Sequence, residues 1–138
     1  MNWYLAAGDL AAVPRLRAEV VAHLALQAVP GSDLEDARLV ISELLANAVQ
    51  HSGGPVRLAL RWEGRHPKVT VSDVGPGFLT SGWGSPKDPT AEGGRGLFLV
   101  SMLARELEIA ARSGGGSAVS ATLEVDRAQS ATQHSRGR

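Results

Sequence analysis

The sequence predicts an α+β domain, a two-layer α/β sandwich with helices on one face of a mainly antiparallel sheet. Three observations carry that expectation. Two helical patterns adjoin near the N-terminus, two pairs of alternating apolar and polar runs follow, and a third helical pattern lies between the pairs. At 138 residues with 43% hydrophobic content, the chain suits one domain with one core. That domain is expected over residues 1–125, with a disordered tail over 126–138, where large apolar residues are absent.

Each element has its own signal. Trp3 to Ala6 is a short apolar run before Gly8 and Asp9, the pattern of an edge strand. Val13, Leu16, Val20, Leu24 and Ala28 recur at helical spacing, and Pro14 is tolerated in a first turn. Pro30 and Gly31 end that helix. Ser32 with Glu35 three residues on makes a capping box, so a second helix is expected from about Asp33 to His51, where Gly53 and Gly54 stop it. "VRLALRW" (56–62) and "KVTVSD" (68–73) alternate in polarity and read as a hairpin joined through "EGRHP". Residues 75–94 are rich in glycine and proline and mark a long loop, of the kind that is functional or disordered in compact domains. A helix is expected from Gly96 to Leu107, then strands in "LEIAAR" and "SAVSATLEV" joined by the turn "SGGG".

Charge and composition exclude several roles. Lys and Arg number 14 against 14 Asp and Glu, so no net field draws the chain to nucleic acid or an anionic membrane. No cysteine is present, which excludes disulfides and thiolate metal sites. No apolar run approaches a membrane span and no export signal is recognisable, so the cytoplasm is the expected compartment.

One polar row stands out. The stripe Leu34, Ala37, Ile41, Leu44, Leu45 and Ala48 forms the core-facing side of the second helix. Glu43, Asn47 and His51 recur every four residues beside it. Asn at mid-helix competes with the backbone for hydrogen bonds and needs a reason to be there. Two more features follow in order: Asp73 with Gly75 and Gly77 at a strand end, and Gly93, Gly94, Arg95, Gly96 and Leu97 opening a helix. Alone, each is most often a turn or a loop. Together they describe a nucleotide site.

The chemistry behind that grouping is specific. A helix N-terminus presents unpaired N–H groups and positive dipole, and glycines let a polyphosphate come close. Asp73 can accept a hydrogen bond from the exocyclic amine of adenine, a donor that guanine lacks at that position. Asn47 offers Mg²⁺ a neutral oxygen. Glu43, one turn earlier, stands where an attacking hydroxyl or water would be oriented. Arg95 reaches a phosphate or stays solvated. His51, near a helix C-terminus, is more often a favourable partner of the helix dipole than a catalyst.

"ISELLANAVQHSG", "VTVSDVGPGF" and "EGGRGLFLVSMLA" resemble the N box and the first and second glycine boxes of the GHKL ATP-binding superfamily. They look most like those of the bacterial anti-sigma factor serine/threonine kinases. The resemblance covers about residues 1 to 125 and implies the Bergerat, or histidine-kinase-like ATPase, fold. It implies that ATP and Mg²⁺ are bound, with Asn47 on the ion, Glu43 as general base, Asp73 on adenine, and Gly75, Gly77, Gly94 and Gly96 shaping the pocket. It also implies a homodimer that sequesters a sigma factor and phosphorylates a serine of an anti-anti-sigma (STAS-type) antagonist. Arg17 matches an arginine with which such proteins hold partners.

Two further features bear on the branch and on activity. Only residues 78–92, Trp83 among them, lie between Gly77 and Gly93, a short lid that favours the anti-sigma branch over histidine kinases. After the last glycines the family has Thr near the phosphates, whereas this chain has Ser117 and Ala118. Ser117 is the candidate to supply that hydroxyl. The alternative function is a catalytically weak or inactive nucleotide-binding module that acts only by sequestering its partner.

Overall fold

The computed structural model describes residues 1–52, 54–73, 94–111 and 116–129. Strand β1 (Asn2–Leu5) leads through a short 3-10 turn (Leu10–Ala12) into helices α1 (Val13–Gln27) and α2 (Glu35–His51). Strands β2 (Val56–Glu63) and β3 (His66–Asp73) follow, then α3 (Gly94–Leu103), β4 (Glu106–Ala111) and β5 (Ser117–Thr122). The five strands form one sheet in the order β1-β2-β3-β5-β4, with every pairing antiparallel. The expected α+β sandwich and its edge strand β1 are therefore present.

Register explains why only one face is apolar. Trp3 pairs with Leu58, Leu58 with Val71, and Val71 with Val119. These side chains share the face covered by helices and all are buried. From the helices come Leu16, Val20 and Leu24 of α1, Ala37, Ile41, Leu44, Leu45 and Ala48 of α2, and Leu97 and Val100 of α3. Leu34 is only partly buried. α2 packs on both α1 and α3 and on β2 and β3, which makes it the centre of the helical layer.

The opposite face is polar. Thr70 and Ser120 share a hydroxyl hydrogen bond of 2.9 Å, and the ammonium of Lys68 lies 3.1 Å from the Glu108 carboxylate. The hydrogen bond to Glu108 raises the Lys68 pKa from 10.5; burial opposes it, while the charges of Glu108, Glu63 and Glu106 add to it.

Several boundaries differ from expectation, each for a local reason. α2 begins at Glu35 with Leu34 as its N-cap, so Ser32 stands upstream of the capping position and its hydroxyl donates to the Val29 carbonyl. The Asp33 carboxylate takes the Glu35 N–H at 3.0 Å, so no capping box forms. The hairpin turn is shorter than "EGRHP": Glu63 pairs with His66, leaving Gly64 and Arg65 as the turn. α3 starts at Gly94 and ends at Leu103, and the Arg105 N–H bonds to the Thr122 carbonyl at 2.8 Å. Leu107, expected in that helix, belongs to β4 opposite Ala121.

The tail is corrected as well. Residues 126–129 are tied down: Val29 N–H donates to the Asp126 carbonyl, Arg127 N–H to Arg65, and Ala128 N–H to Gln27. The Arg127 guanidinium lies 5.8 Å from the centre of the Trp62 ring. This strap joins the β2–β3 turn to the end of α1. Residues 130–138 lie outside the described residues. Among the described residues no helix is long and apolar enough to cross a membrane.

Replacing Leu58, whose side chain is fully buried, by Ala is expected to lower the unfolding free energy by about 2–5 kcal/mol. Lys68→Ala should cost less than about 1 kcal/mol, since its ion pair is on the surface. A raised lysine pKa contributes stability that is complete below the ordinary value and is lost as pH climbs through the raised one. Urea titrations should therefore separate wild type from Lys68→Ala at neutral pH and bring them together only above the ordinary lysine range.

Candidate functional site

The site begins with the polar row of α2. Its apolar stripe turns to the sheet, which leaves the neighbouring row pointing at the start of α3. Asn47 is 6% exposed, among residues that are otherwise apolar. Its side-chain Nδ2 is buried and has no hydrogen-bond partner among the described residues. Glu43, one turn earlier, is half-buried.

Gly96 makes the approach of α3 possible. A Cβ built on it would lie 2.5 Å from Asn47 Nδ2 and 2.7 Å from Glu43 Oε2. Glu43 and Asn47 therefore close on the first turn of α3, where backbone N–H groups have no partners within the helix. A carboxylate, a buried carboxamide and a helix N-terminus meet at one point. Gly94 to Leu97 of the second glycine box are in α3, whereas Gly93 and the Arg95 side chain lie outside the described residues. Leu97, singled out with these glycines, is fully buried in the core.

A second centre forms around Asp73, the last residue of β3, which is 1% exposed. Its Oδ1 accepts the Ser117 N–H at 2.8 Å, and its Oδ2 accepts the Ser52 hydroxyl at 2.9 Å. Gly116 packs against it with φ +92, and a Cβ there would come within 2.3 Å of the Asp73 carbonyl oxygen. Ser117, expected near the phosphates, donates its N–H to Asp73, because β5 enters the sheet beside β3 and brings Ser117 to the end of that strand. Gly75, Gly77 and Trp83 lie outside the described residues.

Ser52 was missed by the sequence reading. It follows the N box directly and ends α2, and a hydroxyl just before two glycines reads as a helix stop. Nothing local shows that it reaches a residue 21 positions away. His51 is half-buried at the last position of α2.

Arg17 stands apart from both centres. Half-buried on α1, it donates from Nη1 to the Ser42 hydroxyl at 3.3 Å. Together with Glu35, Asp36, Arg38, Leu39 and Ser42 it lines a groove of about 240 Å³ between α1 and α2.

Comparison with known proteins adds the following. A family model described as "Histidine kinase-like ATPase domain" matches residues 6–123. No curated protein matches the chain. Among solved structures, one described as "Crystal structure of ShkA full-length in complex with AMPPNP" is similar at 19% identity with a TM-score of 0.52. The similarity covers 88% of this chain and 31% of that one, so the chain spans less than a third of that protein, and what they share is the fold.

The two glycines are expected to fail in different ways. Gly116→Ala places a side chain against backbone at a positive φ and should destabilise the protein by more than about 2 kcal/mol. Gly96→Ala forces the Asn47 and Glu43 side-chain ends to shift, a cost offset in part by the helix preference of Ala, so it should destabilise the protein less than Gly116→Ala does. Thermal unfolding checks both, and for Gly96→Ala the Asn47 side-chain amide resonances should shift while the core resonances stay in place.

Proposed function

The chain belongs to the histidine kinase-like ATPase domain family, and on that premise we propose that it is an ATP-dependent serine/threonine kinase and anti-sigma factor. It binds Mg-ATP, phosphorylates a serine of an anti-anti-sigma (STAS-type) antagonist, and sequesters a sigma factor, acting as a cytoplasmic homodimer. One observation supports the catalytic part above the rest: Glu43 and Asn47 close on Gly96 at the head of α3, with the Asn47 amide buried and unpartnered.

A buried carboxamide with unmet hydrogen-bonding capacity costs about 1–3 kcal/mol unless a ligand completes it. The partnerless atom is the Nδ2 donor, which a phosphate oxygen would meet, while the oxygen of the same carboxamide is a ligand of the kind Mg²⁺ takes beside waters and phosphates. Asn47 would hold it. When bound, the ion neutralises charge on the phosphates. The open N–H groups of α3 and the glycines beside them bind the triphosphate, and Asp73 accepts the 6-amine of adenine.

In the transfer step the serine hydroxyl oxygen of the antagonist bonds to the γ-phosphorus as the bond from that phosphorus to the β–γ bridging oxygen breaks. Glu43 takes the hydroxyl proton, and ADP leaves with the bridging oxygen. Such a transition state is loose, so positioning and charge neutralisation do most of the work. In the same proposal Arg17 holds protein partners, and its groove between α1 and α2 supports that role.

Asn47→Ala is expected to weaken Mg-ATP binding at least about tenfold. Glu43→Ala should leave ATP affinity unchanged and slow phosphotransfer by about a hundredfold or more. Calorimetry and transfer of labelled phosphate to a purified antagonist check both, and two variants that phosphorylate at the wild-type rate would sink the proposal. Retention of ATP by wild type with no transfer to its antagonist would favour sequestration alone.

A further inference from the structure

Resting on the adenine assignment to Asp73 above, we infer that Ser52 is a positioning residue that aims the Asp73 carboxylate at a 6-aminopurine and away from a 6-oxopurine. Ser52 ends α2. Its N–H donates to the Ala48 carbonyl at 2.8 Å, and its backbone leaves the helix at φ −83, ψ 142. Its Oγ lies 2.9 Å from Asp73 Oδ2 and 3.0 Å from the Gly54 carbonyl oxygen, and it accepts the Gly54 N–H at 3.1 Å.

A hydroxyl has one proton to donate. Of the two acceptors in reach, the carboxylate takes it, because a hydrogen bond to a charged oxygen is about twice as strong as one to a neutral carbonyl. The other carboxylate oxygen is held by the Ser117 N–H at 2.8 Å. The plane of the carboxylate is thus fixed from two sides, by the end of α2 and by the start of β5. The hold from Ser117 is backbone, so ordinary side-chain substitutions leave it in place, whereas the hold from Ser52 is a side chain that Ser52→Ala removes.

Discrimination follows from direction. A pinned carboxylate presents acceptor oxygen to the purine edge, which attracts an amine and repels an oxo group. Without the Ser52 hydroxyl the carboxylate can turn about its last side-chain bond, a broad torsion. Turning weakens the attraction for the amine and relieves the repulsion of the oxo group. Ser52 also sits one turn beyond Asn47's neighbours on the same helix, so α2 ties the purine end to the Glu43–Asn47 row.

Calorimetric titration with Mg-ATP and Mg-ITP tests the inference, since ITP carries an oxo group where ATP carries the 6-amine. Ser52→Ala is expected to lose about tenfold in ATP affinity, equivalent to about 1.4 kcal/mol, with ITP affinity unchanged or improved. Ser52→Thr keeps the hydroxyl, and its β-branched side chain suits extended backbone, so it should keep the wild-type preference. If Ser52→Ala does not fold, Ser52→Cys, a weak donor, should show a smaller shift in the same direction. A loss of affinity equal for both nucleotides would assign Ser52 a purely structural role and overturn the inference, as would an unchanged ATP affinity in Ser52→Ala. Wild-type protein that binds neither nucleotide would instead overturn the adenine assignment, and the inference with it.

Discussion

The arrangement depends on keeping a carboxamide inside the core of the helical layer. α2 is the most deeply packed helix, with Ala37, Val40, Ile41, Leu44, Leu45, Ala48 and Val49 buried, and Asn47 is buried among them. Folding alone would favour an apolar residue there, since a polar group without a partner is destabilising. The rest of the site accommodates that exception. Gly96 lets α3 approach closely enough to shelter Asn47 and Glu43. The sheet supplies Asp73 at the far end of the same helix, through the hydroxyl that terminates it.

Much of this was legible in the sequence. The stripe of α2 repeats at helical spacing and is buried as expected, apart from Leu34 at its start. Alternation in "VRLALRW" and "KVTVSD" placed a hairpin whose register puts Leu58 against Val71. The convergence of Glu43, Asn47 and Gly96 was anticipated as a group, because the residue types made chemical sense together. Their proximity to one another is what the structure adds.

What escaped the sequence was settled by contacts distant in the chain or by competition between neighbours. Ser32 bonds to the nearby Val29 carbonyl, while Leu34 takes the capping position of α2. Leu107 fits a helical period after Val100 and Leu103 as well as a strand period before Ile109, and pairing with β5 decided it. The contact of Ser117 with Asp73 is made by sheet order, which its position after a glycine run does not reveal. The strap at residues 126–128 reads as tail in the sequence because most of its hydrogen bonds are made by backbone, to Gln27, Val29 and Arg65, and its side-chain contacts, Arg127 to Gln27 and Asp126 to Arg65 and His66, join residues distant in the chain.

Strand order also governs how the chain assembles. β5, the last of the described strands, inserts between β3 and β4, and β1 pairs with β2 only across the length of two helices. Pairings this remote close late and slowly. On a ribosome, β1 waits for residues 56–59 before it has a partner. The β3 edge stays uncovered until residues 118–122 emerge, and an open edge of that kind is a surface on which nascent chains can join one another. The window of vulnerability to aggregation therefore stays open until β5 has emerged.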